Sequence, residues 1–179
     1  MVRYISLLRG VNVSGQKKIK MDVLRKLYGG LGLSCVQTYI QSGNVLFDCE
    51  ENTVKLSEKI KEGIRKSFGF EVEVILRTKQ EWQKIQGNTL FQNKDSTQIY
   101  VVFLARKPEM KRDLNKANKV KDAQEEFVIL GREVYLFLPN GMGRTKLSNT
   151  FWENMLNVPA TTRNWNTVRK LGELMEHIL

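Results

Sequence analysis

Apolar positions along this chain recur with two periods, and the alternation between them outlines its elements. Residues 3–9 (R-Y-I-S-L-L-R) form a short apolar run of strand length. Met21, Leu24, Leu27 and Leu31 then share one face at helical spacing, and Gly29, Gly30 and Gly32 end that helix. Two strand-like segments follow, Val36–Ile40 and Asn44–Phe47, with Gln41-Ser42-Gly43-Asn44 as the turn between them. Leu56, Ile60, Ile64 and Phe68 recur every four residues with lysines on the other side, which predicts an amphipathic helix ending near Gly69. Glu71–Leu76 alternates as a strand. Thr78-x-x-Glu81 is a capping box and predicts a short helix carrying Trp82 and Ile85.

The pattern then repeats. Gln98–Leu104 reads as a strand, and Pro108 opens a basic helical stretch, proline being tolerated in a first turn. Glu126–Leu130 and Glu133–Leu138 form a hairpin around Gly131-Arg132, and Ser148–Leu156 reads as a helix ended by Pro159. Ala160–Arg163 is a short strand. Asn164 or Asn166 caps a last helix carrying Val168, Leu171, Leu174, Met175 and Ile178. The order β-α-β-β-α-β is thus met twice. The expected fold is α+β, a tandem pair of ferredoxin-like βαββαβ units with a C-terminal helix. The expected boundaries are residues 1–88 for the first unit, a polar linker at 89–97, and residues 98–179 for the second unit with its helix. Ile99–Leu104 and Val134–Leu138 are apolar on both faces, whereas a two-layer unit buries only one. The second face is therefore expected to be covered by the other half or by a second chain, which leaves a homo-oligomer open.

Charge adds a partner class. The 179 residues carry 29 Lys and Arg against 19 Asp and Glu, a net charge of +10 spread over both halves. Such a balance suits phosphate-bearing partners, with nucleic acid as the leading expectation and a phosphorylated or carboxylated small molecule, bound or turned over, as the alternative. No apolar run approaches the ~20 residues that span a membrane, and the N-terminus lacks the form of a signal peptide. With only Cys35 and Cys49, which lack metal-ligand spacing, the expectation is a cytoplasmic protein with two reduced thiols. The strand pattern places those thiols near opposite ends of one hairpin, a geometry that allows a bridge.

Four stretches resemble one family. L-L-R-G-V-N-V-S-G (Leu7–Gly15), T-Y-I-Q-S-G-N-V (Thr38–Val45), L-P-N-G-M-G-R-T-K-L-S-N (Leu138–Asn149) and T-T-R-N-W-N-T-V (Thr161–Val168) are similar to the hallmark segments of the bacterial and archaeal domain of unknown function family 1697. The resemblance spans nearly the whole chain. It implies a two-part α+β fold and no established activity.

The same stretches hold the candidate chemistry. The loop after the first strand and the first hairpin are expected at one sheet edge, where Arg9, Asn12, Gly15, Lys18, Gln41, Ser42 and Asn44 would gather. Such side chains, with glycine N–H groups, suit a phosphate, a carboxylate or a base edge. The structural alternative is that the glycines serve turns and the asparagines bond local backbone. Gly141, Gly143, Arg144, Thr145 and Lys146 lie between a strand and a helix start, an order that suits an anion. They are not a P-loop, because Lys146 follows Thr145. Arg163 and Asn164 directly precede a helix, where they serve either a ligand or a cap. Catalysis has little support. The sole histidine, His177, ends the last helix, and H-E-x-x-H and G-x-S-x-G are absent. No metal site and no cofactor are indicated. Tyr100, Tyr135 and Phe137 lie on strands, but the RNA-stacking signature is missing around them.

Overall fold

The computed structural model describes residues 1–88, 90–109 and 114–177. Its elements are β1 (Val2–Leu8), α1 (Met21–Gly30), β2 (Ser34–Tyr39), β3 (Asn44–Cys49), α2 (Thr53–Phe68), β4 (Val74–Thr78), α3 (Lys79–Gln86), β5 (Ile99–Leu104), α4 (Asn115–Val120), β6 (Glu126–Leu130), β7 (Glu133–Phe137), α5 (Asn149–Leu156), β8 (Ala160–Asn164) and α6 (Trp165–Glu176). The strands form two antiparallel sheets ordered β2-β3-β1-β4 and β6-β7-β5-β8. This is the strand order of the ferredoxin-like unit, met twice, as the tandem α+β pattern requires. The chain divides into two compact units, one of Met1–Gly87 with Leu171–Leu179, the other of Asn88–Lys170.

Strand registers show how the repeats correspond. Tyr4 pairs with Phe47 and Thr78 in the first sheet, and Tyr100 pairs with Leu136 and Asn164 in the second. Thr78 and Asn164 therefore hold equivalent places, and both start a helix. The Thr78 hydroxyl accepts the Glu81 N–H and the Glu81 carboxylate accepts the Thr78 N–H, the capping box read from the sequence. The Asn164 side chain accepts the Thr167 N–H at 2.8 Å. Each repeat thus ends in a third helix, and α6 is the counterpart of α3. From Leu171 onward α6 packs in the first unit. Glu176 receives Lys79 Nζ at 2.7 Å and Gln83 Nε2 at 2.9 Å, and Gly172 lies against the Gln86 side chain with no room for a Cβ.

Each unit builds its core by laying helices on one sheet face. In the first unit Tyr4, Leu8, Val45, Phe47, Val74 and Leu76 meet Leu24 and Tyr28 of α1 and Leu56, Ile60 and Ile64 of α2. The buried Tyr28 hydroxyl shares a 2.7 Å hydrogen bond with Ser6 Oγ, so its polar end is satisfied. In the second unit Val102, Leu104, Val134 and Leu136 meet Ala117 of α4 and Trp152, Met155 and Leu156 of α5. The opposite faces are buried too, through Ile5, Leu7 and Ile75 in one sheet and Val101, Phe103, Tyr135 and Phe137 in the other.

Several element boundaries shift by a residue or two from the periodicity, and the starts of β4 and α4 shift further. β4 begins at Val74 and not at Glu71, because it pairs residue for residue with Tyr4–Leu8 and the ladder ends where β1 does. Glu71 to Glu73 only lead in, with the Glu73 carbonyl accepting the Arg9 N–H. The basic helix expected from Pro108 is found as α4, starting at Asn115. The part of that expectation on residues 110–113, and Ile178 of the last helix, lie outside the described residues. Both thiols are free, Cys35 exposed and Cys49 buried. Among the described residues no helix is long and apolar enough to cross a membrane.

Candidate functional site

The four sequence stretches sort into two pairs, one in each unit. In the first unit the loop after β1 meets the β2–β3 hairpin. The Leu8 N–H donates to the Gly43 carbonyl at 2.9 Å. Gly43 adopts φ +74, and a Cβ there would lie 2.5 Å from Val11 Cγ2 and 2.8 Å from Leu8 Cβ, so only glycine fits. Asn12 joins the two segments. Its Nδ2 donates to the Gln41 carbonyl at 2.8 Å and the Ile19 carbonyl at 2.9 Å, while its Oδ1 accepts the Ile19 N–H at 2.8 Å. A single amide thus closes the loop on itself and ties it to the hairpin. Asn44 is fully buried and donates to the Tyr39 carbonyl and Ser42 Oγ, holding the turn. Asn12 and Asn44 therefore spend their side chains on backbone and turn, the structural alternative, and they shape the place where others are presented.

That place is an open depression of about 610 Å³ lined by Asn12, Lys18, Ile19, Lys20, Met21, Asp22 and Gln41. It lies at the start of α1. The N-cap position is Lys20, and no side chain caps the helix. Among the described residues no side chain accepts from the first-turn N–H groups, and the positive end of the helix dipole lies at this end of α1. Lys18 and Lys20 are exposed, and their ammonium groups have no ion-pair or hydrogen-bond partner among the described residues. Lys17 is used differently, its ammonium donating to the Glu71 carbonyl at 2.6 Å. Gly15, at φ +74, has open space around it, and a Cβ placed there would meet only Lys18 Cε, at 4.0 Å. Arg9 is half-buried beyond the strand end. Lys20, Met21 and Asp22 are lining residues that the sequence reading did not select. The readable signal was a lysine in place of a capping residue directly before an apolar helical face.

In the second unit the remaining stretches meet at the opposite end of their own sheet, where β5 begins. Leu138 donates its N–H to the Gln98 carbonyl, and Gln98 Nε2 donates to the Pro139 carbonyl at 3.0 Å. Buried Leu138 and Leu147 anchor the loop between them. Thr145 Oγ1 accepts the Leu147 N–H, and Ser148 caps α5 by accepting the Phe151 N–H. Asn149 links the loop to β8 by donating to the Ala160 carbonyl and accepting from Thr162 Oγ1 at 2.9 Å. Gly141 approaches the Tyr100 hydroxyl, which would stand 3.8 Å from a Cβ placed there. Tyr100 thus belongs to this locus. Arg144 and Lys146 point no charge at the protein: both are exposed and lack a partner among the described residues, and Gly143 is exposed beside them.

Arg163 is not part of that exposed edge. It is only 7% exposed, and its guanidinium donates to Thr161 Oγ1 at 2.8 Å and the Thr162 carbonyl at 2.9 Å. Burial lowers its pKa to about 10, which leaves it protonated at neutral pH. Asn164 is the cap of α6 described above. Among the described residues no group of three or more His, Cys, Asp or Glu is placed to hold a metal.

Comparison with known proteins agrees with the architecture. A family model described as "Protein of unknown function (DUF1697)" matches residues 1–135. No curated protein matches the chain. The solved structure of the conserved bacterial protein SP0830 from Streptococcus pneumoniae is similar with a TM-score of 0.72 at 22% identity, covering 99% of both chains. At that identity the likeness concerns the fold alone.

Proposed function

The chain belongs to the DUF1697 family, which brings no assigned activity with it, and we propose from its own geometry that it binds a phosphate-bearing ligand at the start of α1. One observation carries this reading. Asn12 and Lys18 from the loop after β1 and Gln41 from the β2–β3 hairpin line one depression, together with a helix start that has no side-chain cap and two lysines whose ammonium groups are unpaired among the described residues. Residues carrying ammonium groups and a helix start line a space of ordinary ligand size there. Asp22 adds an acceptor in the same wall, which suits a hydroxyl or amine beside the phosphate. A phosphorylated small molecule carrying such a donor is the ligand class that fits best.

Nucleic acid is the second reading. It is supported by the net charge of +10 and by the exposed pair Arg144 and Lys146 on the other unit. The two readings separate by titration. A panel of inorganic phosphate, pyrophosphate, mononucleotides, sugar phosphates and single-stranded oligonucleotides is tested by thermal shift and calorimetry. A small-ligand site predicts a raised Tm that Lys18→Ala with Lys20→Ala abolishes and Arg144→Ala leaves unchanged. Nucleic-acid binding predicts affinity for oligonucleotides that falls steeply with salt and weakens on Arg144→Ala with Lys146→Ala. No shift and no binding across the panel refutes both.

A further inference from the structure

The four sheet edges of this chain are not treated alike. An edge strand exposes a row of N–H and C=O groups, and folded proteins usually obstruct it. β8 is obstructed by its own unit: the Ala160 N–H donates to Glu153, the Ala160 carbonyl accepts from Asn149, and the Thr162 carbonyl accepts from Arg163. On β4 the Leu76 carbonyl accepts from the Arg77 guanidinium at 2.8 Å. β2 is broken by an irregularity between Ser34 and Gln37, where Cys35 adopts φ +49.

Among the described residues β6 has none of these devices. Its sequence, E-F-V-I-L, holds no proline and no lysine, and it pairs with β7 in unbroken register from Glu126 to Leu130. Gly131 and Arg132 form a two-residue turn with Gly131 at φ +64, so the flanking Leu130·Glu133 pair is a hydrogen-bonded one. By alternation Val128 and Glu126 also bond to β7, and Phe127 and Ile129 turn their N–H and C=O groups outward. Among the described residues those groups have no backbone partner on that side. Leu130 beside them is 52% exposed.

We propose that β6 pairs antiparallel with β6 of a second copy of this chain, about a two-fold axis at Val128, joining two four-stranded sheets. The strand's own chemistry selects this occupant. The outward groups of Phe127 face those of Ile129 of the partner subunit, and the reverse, which forms about four backbone hydrogen bonds. The two Val128 side chains meet at the centre. Glu126, whose carboxylate accepts from Lys94 Nζ at 2.7 Å, falls opposite Leu130 of the partner subunit and diagonal to the partner's Arg132, so acid and base face across the seam. The short apolar stretch between an acid and a base is complementary to itself only in this orientation. The net charge of +10 opposes association at low salt, so pairing strengthens as salt rises.

Sedimentation equilibrium of the full chain from about 10 μM to about 1 mM, in low and moderate salt, tests the pairing. The expected mass moves from 20.8 kDa towards twice that value with concentration. Val128→Lys and Val128→Glu, at a half-buried position, each weaken association at least about tenfold by placing like charges face to face, and their equimolar mixture restores it. Amide exchange at Phe127 and Ile129 slows as wild-type concentration rises. A monomeric mass throughout overturns the proposal. So does an oligomer that persists in both folded variants, or exchange at those two amides that ignores concentration.

Discussion

Gly43 offers the sharpest test of how the first polar loop is held. Gly43→Ala introduces a Cβ where φ is +74, with Val11 Cγ2 at 2.5 Å and Leu8 Cβ at 2.8 Å. The left-handed backbone costs an alanine about 1–2 kcal/mol, offset by about 0.4–1 kcal/mol from the stiffer unfolded chain. The contacts add more. Leu8 is fully buried and its Cβ is fixed to β1, so relief requires the hairpin to move, at about 1–3 kcal/mol for overpacking. The expected loss is roughly 2–4 kcal/mol, a large fraction of a typical 5–15 kcal/mol. Gly15→Ala is the internal control: φ is again +74, but the nearest atom is the flexible Lys18 Cε at 4.0 Å. It should cost about 1 kcal/mol or less, the backbone contribution alone. Urea unfolding followed by circular dichroism measures both, and unchanged m-values confirm that the comparison is of native states. If the two variants lose equal stability, steric exclusion at Gly43 is wrong and the turn conformation alone explains the glycine. The displaced hairpin carries Gln41, so Gly43→Ala should also weaken ligand binding at the α1 depression.

Two further outcomes follow from polar groups outside the sites. Asp48 and Arg3 face each other across β3 and β1 with bonds of 2.8 and 2.9 Å, and the hydrogen bond from Arg3 holds the Asp48 carboxyl below its ordinary value. A lowered folded pKa stabilises above the unfolded value near 3.9 and is lost as pH falls through the folded one. Asp48→Asn should therefore cost roughly 1.5–3 kcal/mol at pH 7 and flatten the acid limb of the stability profile below about pH 4, checked by unfolding at several pH values. The fully buried Trp152 has an indole N–H without a hydrogen-bond partner among the described residues, between the rings of Phe127 and Phe151. Trp152→Phe should change stability by no more than about 1 kcal/mol, because lost area is offset by removing an unsatisfied donor, whereas Trp152→Ala should cost about 3–5 kcal/mol. A loss above about 3 kcal/mol for Trp152→Phe would show that the N–H is well bonded after all.

Much of this fold was legible because its signals are local. Thr78 and Glu81 write a capping box in four letters, and the four-residue rhythm of Leu56, Ile60, Ile64 and Phe68 marks α2 with its buried side. The start of β4 was not legible, since an alternating pattern continues past the last paired residue and only the length of β1 ends the ladder. The site was legible in part. The meeting of the Asn12 loop with the Gln41 hairpin follows from topology, and Asn12 bonds the Gln41 carbonyl as that topology requires. What sequence does not reveal is which polar side chains are spent on the fold. Asn44, Asn164 and Arg163 look like ligand groups in one dimension, yet bonds to a turn, a helix start and a strand occupy them.

The registers also bear on how the two polar loci arose. Leu8 donates to the Gly43 carbonyl and Leu104 to the Arg132 carbonyl, while Arg9 donates to Glu73 and Ala105 to Pro159. Gly43 and Arg132 are therefore counterparts, as are Arg9 and Ala105, and the second repeat lacks the glycine contact and the arginine that mark the first. The reverse holds at the other sheet end. Phe47 corresponds to Leu136, so Cys49 corresponds to Leu138, and the caps Asn52 and Ser148 open α2 and α5 in equivalent places. Between those points the first repeat has only Glu50 and Glu51, where the second inserts the whole glycine and cation stretch from Pro139 to Leu147. The two repeats present the same strand frame, and their polar stretches stand at opposite ends of it. Lys18 and Arg144 are consequently not copies of one another, and a ligand recognised at one locus gives no reason to expect the same ligand at the other.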